Sequence, residues 1–584
     1  MENIEQIRHS LSHIMALAVL EFWPKTKLGM GPAIENGFYY DFQFTKPLEP
    51  TDLKKIEAKM QELILQDQKF VKKNITKLAA KKKFKDQPYK LELIKELPGK
   101  TVSIYTNGSF TDLCKGPHVK FTKEINPKAF ELTKIAGAYW KGNEKNKMLT
   151  RIYGFAFATE KELQDYVKMQ EEAEKRDHRK LNEKLNLYQI SEEIGLGLVT
   201  LLPNGAIIAD ELENWAKETE EKQGYVRVYT PHIASEKAFK ISGHVPYYAE
   251  SMYPPMRMAE KKVGENDVYY IKPMNCAGHH MVYKSKPRSY KELPLRIAEY
   301  GAVYRFEQSG ELYGMMRVRG PIHQNDAHIF CTEEQAEEEF QKVMDLHKYY
   351  YETLGLNEKN YFLSFAIRDP KSKKYVGDKK MWDKAEKIAL KFIKKTNIPY
   401  KVEAGSAAFY GPKIDFNIKT VTGKVFSAST NQLDFQLPKA FGLKYIDKDG
   451  KEKIPVCIHR APLGAHVRFI AFLTEHYAGN FPVWLAPVQV AVIPISEKHD
   501  QYASEITKQL KEYNVRVELK NENETLGKKI REAEMQKIPY LLIVGDKEVE
   551  AKTVSVRERG KGDIGARPIN SFLDKIKQEI ISKK

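Results

Sequence analysis

The sequence predicts an α+β protein of several domains, and three stretches carry that expectation. At the N-terminus Ile7, Leu11, Ile14, Met15, Ala18, Val19 and Phe22 recur at helical spacing. In the middle, Tyr304 to Cys331 has the pattern of a strand, a long polar loop and a second strand. Towards the C-terminus, strands such as VRVELK and YLLIVG alternate with helices such as LGKKIREAEMQK. That alternation suits an α/β domain with a mainly parallel sheet. At 584 residues the chain holds about four domains on the usual length scale.

Composition narrows the class. Lys+Arg 95 against Asp+Glu 78 leaves a net charge of +17, which favours a polyanionic partner. The four cysteines, 114, 276, 331 and 457, include no CxxC pair. This points to a reducing compartment and excludes a disulfide scaffold. No apolar run is long enough to span a membrane, and MENIEQIRHS lacks a signal-peptide core. The expectation is a soluble cytoplasmic protein with no membrane partner.

Residues 1–150 form the first domain, opened by the amphipathic helix that Pro24 ends. His9 and His13, four residues apart, share a face of that helix. Far downstream TDLCKGPHV supplies Cys114 and His118. Two histidines, a cysteine and a further histidine make a zinc quartet chemically reasonable, although either pair alone suits ordinary exposed residues. Lys72 to Lys85 is lysine-rich and suits a solvated face. Residues 151–190 carry mixed charges at helical spacing, the pattern of a solvated connector.

The largest domain, 191–480, begins with a long helix, a break at Gly224 and a β-rich run into Pro231. KPMNCAGHH supplies Cys276 and His279. Arg305 and Glu307 lie two apart on an expected strand, so they face the same way. After the loop Gln308 to Gly314 the chain returns through Arg317 and Arg319 into alternating Asp326, His328 and Phe330. Arginines aimed into such a gap suit a nucleoside triphosphate, because the guanidinium fork pairs with phosphate oxygens. Tyr410 and Lys413 follow in AAFYGPKIDF, and Gln432 in NQLDF. The strand IPVCIHR then leads through a turn at Gly464 into a helix carrying Arg468.

The run YRFEQSGELYGMMRVRG resembles motif 2 of the class II aminoacyl-tRNA synthetases. With QNDAHIF after it, it is similar to the threonyl-tRNA synthetases among them. The helix–Gly224–strand segment resembles motif 1, and IPVCIHRAPLGAHVRF resembles motif 3. RHSLSH, GPAIENGFYYDF, PYKLE, FTDLCKGPHV and GAYWKGNEKNKMLTRIYGFAF resemble that family's editing domain, without the small domain many members carry before it. The chain departs from the family pattern at Pro321-Ile322-His323, one residue longer than usual. It departs again at Ala277, at Ser427 to Thr430, and at Ala465, His466 and Val467.

The resemblance implies an editing domain over 1–150, a connector over 151–190, a class II antiparallel-sheet catalytic core over 191–480, and an α/β anticodon-binding domain over 481–584. It implies an enzyme that couples threonine to ATP and passes it to threonine tRNA, working as a homodimer paired through motif 1. Arg305, Arg468, Lys413 and His244 would be catalytic. Arg305, Glu307, Arg317, Gln432 and Arg468 would hold ATP with Mg²⁺, which neutralises the phosphates. Gln324, Asp326 and Tyr410 would hold threonine. Cys276, His328 and His459 would ligate one Zn²⁺ per subunit; by spacing alone His279, His280, His323 and Cys457 are rivals. His9, His13, Lys90, Asp112, Cys114 and His118 would line a hydrolytic site for seryl-tRNA. Asn523, Glu548 and Arg557 would contact the anticodon. An inactive RNA-binding relative and a zinc hydrolase built on the quartet are the two other readings.

Overall fold

The computed structural model describes residues 2–257, 268–372, 374–377, 379–396, 398–420, 423 and 425–583. They fall into two compact units that meet between Glu171 and Glu172.

In the first unit the helix Glu2–Phe22 buries Leu11, Ile14, Met15 and Val19 in one core with Phe38, Tyr40 and Phe42. Those aromatics alternate along the strand Gly37–Gln43, so the period-two pattern puts all three on one face. That strand pairs antiparallel with Lys27–Leu28, Ala33–Ile34 and Met148–Ala156, and Phe130–Tyr139 adds to the last. Residues 151–156 therefore complete a strand of this unit, and the helical connector begins only at Glu160. A second sheet joins Val71–Thr76, Thr101–Asn107 and Phe110–Leu113. The lysine-rich helix Lys77–Lys83 buries only Ala80, so it is the solvated face its composition suggests.

The second unit starts in the connector. Asp177 separates the helices Glu160–Arg176 and His178–Leu185 and caps the latter by accepting the Arg179 N–H at 2.8 Å. The unit's main sheet runs Val226–Arg227, Leu295–Val303, Ile322–Cys331, Val456–Ala461, Val425–Asp434, Lys413–Lys419, Tyr361–Ile367, Tyr400–Ala404. Only the outermost pair at each end is parallel; the rest are antiparallel. Ile329, Leu433 and Ile458 sit opposite one another and share a core with Trp215, Phe340 and Phe472 from three helices. By strand alternation the intervening residues face the other way. Register places His328 opposite His459, His459 opposite Gln432, and Gln432 opposite Lys413. Directly opposed residues project to one face, so four chemistry-bearing side chains form a row.

Two expectations need correction. Arg305 and Glu307 are not on a strand, because the strand ends at Val303. Beyond it the N–H groups of Tyr304, Arg305 and Phe306 go to Lys272, Arg319 and Ser251 in turn, three separate segments that form no ladder. In the C-terminal sheet, Val517–Leu519, Val490–Pro494 and Tyr540–Val544 are parallel, but Thr553–Glu558 and Gly562–Pro568 add antiparallel, so the sheet is mixed. The helix Asp546–Ala551 is too short for the crossover of roughly a dozen residues that a parallel pair needs.

Candidate functional site

A cavity of about 410 Å³ is lined by Arg305, Glu307, Arg317, Gln324, Tyr410, Lys413, Gln432 and Arg468 among others. Every residue expected on the nucleotide reaches it. Gly464 makes the turn that delivers Arg468: its φ is +54°, and a Cβ there would lie 2.2 Å from the Ala428 carbonyl oxygen. The Arg468 Nε is buried and has no hydrogen-bond partner. Burial, with Arg305 and Arg317 close by, brings this guanidinium down to about 10. Three arginines around one cavity repel one another and are stabilised by an anion. Arg317 is steadied by Glu307, its Nε donating to Oε2 at 2.9 Å. The Tyr410 hydroxyl donates to Gln432 Oε1 at 2.5 Å, and Lys413 pairs with Asp415.

The connector supplies two residues the sequence did not single out. His178 is fully buried; its Nδ1 lies 2.8 Å from Glu475 Oε1, and its Nε2 accepts the Met315 N–H at 3.2 Å. Asp177 accepts the Tyr313 hydroxyl at 2.8 Å. Glu475 shares the helix His466–His476 with Arg468, and Tyr313 bridges to Arg317. Gly314 has φ +49°, and a Cβ there would lie 2.3 Å from His178 Nε2. His178 thus ties the loop bearing Arg317 to the helix bearing Arg468. In the sequence it looks like one more polar residue on a charged helix, and only its burial marks it.

His244 is buried beside Phe409, which lines the cavity, but is not in the wall itself. The Ser242 hydroxyl donates to Phe239 O, so it accepts from His244 Nδ1 at 2.8 Å and leaves Nε2 a bare lone pair. Burial holds this ring neutral, with its pKa down at about 3. Asp326 also stands outside the wall; it accepts Asn275 Nδ2–H at 3.0 Å and lies 4.0 Å from His328 Nδ1.

Cys276, His328 and His459 bring ligand atoms within 4.8 Å of one another, all buried. Their hydrogen bonds fix the tautomers. His279 Nε2–H donates to Glu299 at 3.0 Å, so His279 Nδ1 accepts from His328 Nδ1 at 2.8 Å. His328 Nε2 is left bare, buried and without a partner. His459 Nε2–H donates to Asp434 at 2.9 Å, leaving Nδ1 bare 3.6 Å from Cys276 Sγ. Metal-binding imidazoles are held in this way, with the second nitrogen anchored and the first exposed. The donor set fits Zn²⁺ with an open position. His279 is thus a support for His328. His280 and Cys457 form a different group with Asp434.

The quartet also converges: His9, His13, Cys114 and His118 bring their ligand atoms within 4.8 Å of one another. Cys114 Sγ is the hub, 3.3 Å from His9 Nε2 and 3.2 Å from His118 Nε2. His9 Nδ1 lies 3.1 Å from Pro117 O, and His118 Nδ1 lies 3.1 Å from Ser10 Oγ. Lys90 and Asp112 form a buried ion pair at 2.5 Å, and the Tyr40 hydroxyl donates to Asp112 at 2.5 Å. Tyr40 was hidden in the strand pattern GFYYDF. Burial pushes the Cys114 thiol up to about 11 and holds His13 and His118 well below their ordinary value.

Arg557 lines a cavity of about 160 Å³ with Glu534 and Lys537, its Nε buried and unpaired. Asn523 and Glu548 do not line it; Glu548 instead accepts the Gly545 N–H at 2.9 Å.

Residues 260–477 match the family model of the class II tRNA synthetase core domain for G, H, P, S and T. Residues 489–579 match the anticodon binding domain, and 102–153 match the threonyl and alanyl tRNA synthetase second additional domain. The chain is 47% identical over 580 residues to a threonine–tRNA ligase of Thermus thermophilus, covering 97% of this chain and 87% of that protein. It is 46% identical over 579 residues to one from Dehalococcoides mccartyi, covering 98% and 97%. Among solved structures, the RNA binding domain of threonyl-tRNA synthetase from Cryptosporidium parvum Iowa II superposes with a TM-score of 0.64 at 34% identity, over 69% of this chain and 98% of that one.

Proposed function

We propose residue roles on one premise: the chain belongs to the threonine–tRNA ligases, class II aminoacyl-tRNA synthetases with an additional editing domain. It activates threonine with ATP and transfers it to tRNA.

The observation that carries the residue roles is the buried, unpartnered Arg468 Nε beside Arg305 and Arg317. A triphosphate would supply the missing acceptor and the negative charge, with Mg²⁺ neutralising the rest. Lys413, Glu307 and Gln432 then orient the nucleotide while the threonine carboxylate attacks the α-phosphorus and pyrophosphate leaves. Gln324 and Tyr410 border the amino acid. His244, kept neutral with Nε2 bare, is poised to accept the proton of the tRNA terminal ribose as it attacks the adenylate.

Cys276 Sγ, His328 Nε2 and His459 Nδ1 would hold one Zn²⁺. When bound, it supplies a Lewis-acidic position for an amine and hydroxyl together, which valine cannot satisfy. Asp326, beside His328, accepts the hydroxyl hydrogen. Serine carries the same two groups and lacks one methyl, worth only about 1–3 kcal/mol of discrimination. The N-terminal site answers this by hydrolysing seryl-tRNA, with Lys90 and Asp112 positioning the tRNA end or a water and the His/Cys quartet handling protons. Arg557, with Asn523 and Glu548, contacts the anticodon. The segment from Gly224 to Pro231 pairs two subunits about a twofold axis, and the enzyme works in the cytoplasm.

Threonine-dependent pyrophosphate exchange is the test. Arg468→Ala should lower it by about 10³-fold. An undiminished rate in that variant would remove Arg468 from the phosphates. No exchange in the parent protein would favour the inactive relative or the free-standing hydrolase.

A further inference from the structure

We propose that a second buried transition-metal site stands beside the first, formed by His280 Nε2, a carboxylate oxygen of Asp434 and Cys457 Sγ, and that it takes Zn²⁺ or a similar dication. The proposal goes beyond the reading above and does not depend on an ion at Cys276, His328 and His459.

One ligand atom from each of His280, Asp434 and Cys457 lies within 4.8 Å of the others, and all three residues are buried. Their placement follows from the elements that build the first group. The helix Cys276–Lys284 carries Cys276 and, one turn on, His280. The strand Val456–Ala461 carries His459 and, two residues back on the same face, Cys457. Asp434 lies directly opposite Cys457 in the antiparallel register, so their side chains project together. One helix and one strand thus each contribute to both groups, and Asp434 joins them by accepting His459 Nε2–H at 2.9 Å.

The tautomer logic of the first group is repeated. His280 Nδ1 donates to the Cys276 carbonyl at 2.7 Å, an acceptor that forces the proton onto that nitrogen. Nε2 is a bare lone pair, fully buried and without a hydrogen-bond partner. The carboxylate is anchored as a ligating carboxylate is: the Gln436 and Leu437 N–H groups donate to Asp434 Oδ1 at 2.7 and 3.0 Å. Asp434 is 0% exposed, and no lysine or arginine pairs with it among the described residues. A buried carboxylate without a cation and a buried lone pair without a donor are both costly, and one dication relieves both.

Imidazole, thiolate and carboxylate form a donor set for borderline zinc. With thiolate and carboxylate bound, the dication is neutralised. Binding releases the Cys457 thiol proton to solvent, one per ion. Loading draws the donors from a spread of up to 4.8 Å towards the roughly 3.5 Å edges set by bond lengths of about 2.0–2.3 Å.

The test is metal content after saturation with Zn²⁺ and removal of loose ions. Two ions per chain are expected in the parent protein. Cys457→Met and His280→Leu should each hold one fewer, while Cys114→Ala keeps both. Loss in Cys457→Met with retention in Cys276→Ser would support this site and refute the first. A single ion in the parent protein, unchanged in Cys457→Met, would overturn the proposal. So would a second ion that Cys114→Ala abolishes, since it would belong to the quartet. If the Cys457 and His280 variants fail to fold, anomalous scattering at the zinc edge from crystals of the parent protein decides. A peak among His280, Asp434 and Cys457 upholds the site, and its absence removes it.

Discussion

Two histidine–cysteine clusters of like composition behave differently, and their hydrogen bonds show why. In the N-terminal quartet His9 and His118 are satisfied through Cys114, while His13 Nδ1 is buried without a partner. The Pro117 carbonyl fixes His9 as an Nδ1 donor, so His9 Nε2 accepts from the Cys114 thiol. The Ser10 hydroxyl, accepting from Val119 N–H, donates to His118 Nδ1, and His118 Nε2–H then points at the sulfur. In the sheet cluster, carboxylates behind the rings push the protons away from the centre. His328 Nε2 is left with nothing to bond. On the proposed reading the quartet moves protons and the trio holds an ion. His178 is the natural control. It too has a carboxylate behind it, Glu475, but its other nitrogen is met by the Met315 N–H, so the group Asp177, His178, Glu475 needs no metal.

The largest expected effect breaks the comparison outright. Cys276→Ser should lower zinc affinity and threonine activation by more than about 100-fold, beyond what loss of a supporting residue costs. His13→Ala with Cys114→Ala should leave both unchanged while seryl-tRNA accumulates. Equal zinc loss from both variants would make the clusters one kind of site. The supports sharpen the contrast. Glu299→Gln should weaken zinc binding about 10 to 100-fold through His279, whereas Ser10→Ala should not alter metal content. Unchanged affinity in Glu299→Gln would show that the relay does not set the His328 tautomer.

A smaller effect follows at the control residue. His178→Ala frees the loop that carries Arg317, so KM for ATP should rise about tenfold, the loss of one hydrogen bond to a group under charge. KM for threonine should hold steady, and His178→Gln should recover part of the loss. A uniform fall in kcat with both KM values fixed would instead mean general damage.

Acid should produce the gentlest change. Burial holds His13, His118, His280 and His328 below the ordinary 6.5. The unfolded chain then binds more protons, so stability is full above pH 6.5 and declines as the pH falls towards the folded values, by about 1.4 kcal/mol per unit for each group. Zinc at His328 blocks protonation there. The unfolded chain still takes up that proton, and one more at Cys276, so between pH 6.5 and 5.5 chelation should lower the second unit's thermal transition but make its decline with acid shallower, and leave the first unit's transition in place. Identical shifts in both would remove zinc from the explanation.

How much of this was legible in sequence depends on distance along the chain. The helix carrying His9 and His13, the turn at Gly464 before Arg468, and the arginine-rich return through Arg317 are local patterns. Spacing alone exposes them, because helix and strand periods are properties of neighbouring residues. The placement of Arg305 and Glu307 on a strand failed for a non-local reason: three separate segments take their N–H partners.

By itself the sequence determined the α+β class, the N-terminal helix, the alternation of strands and helices near the C-terminus, and the side chains whose chemistry suits phosphate or metal. Tertiary structure alone decided which of the candidate cysteines and histidines meet. His328 and His459 are neighbours through antiparallel register, and Cys276 reaches them from a helix. It also decided that His178 and Tyr40 are buried and that Asp434 stands between two groups of ligands. Burial, register and tautomer are set by partners far away in the chain, and no local period encodes them.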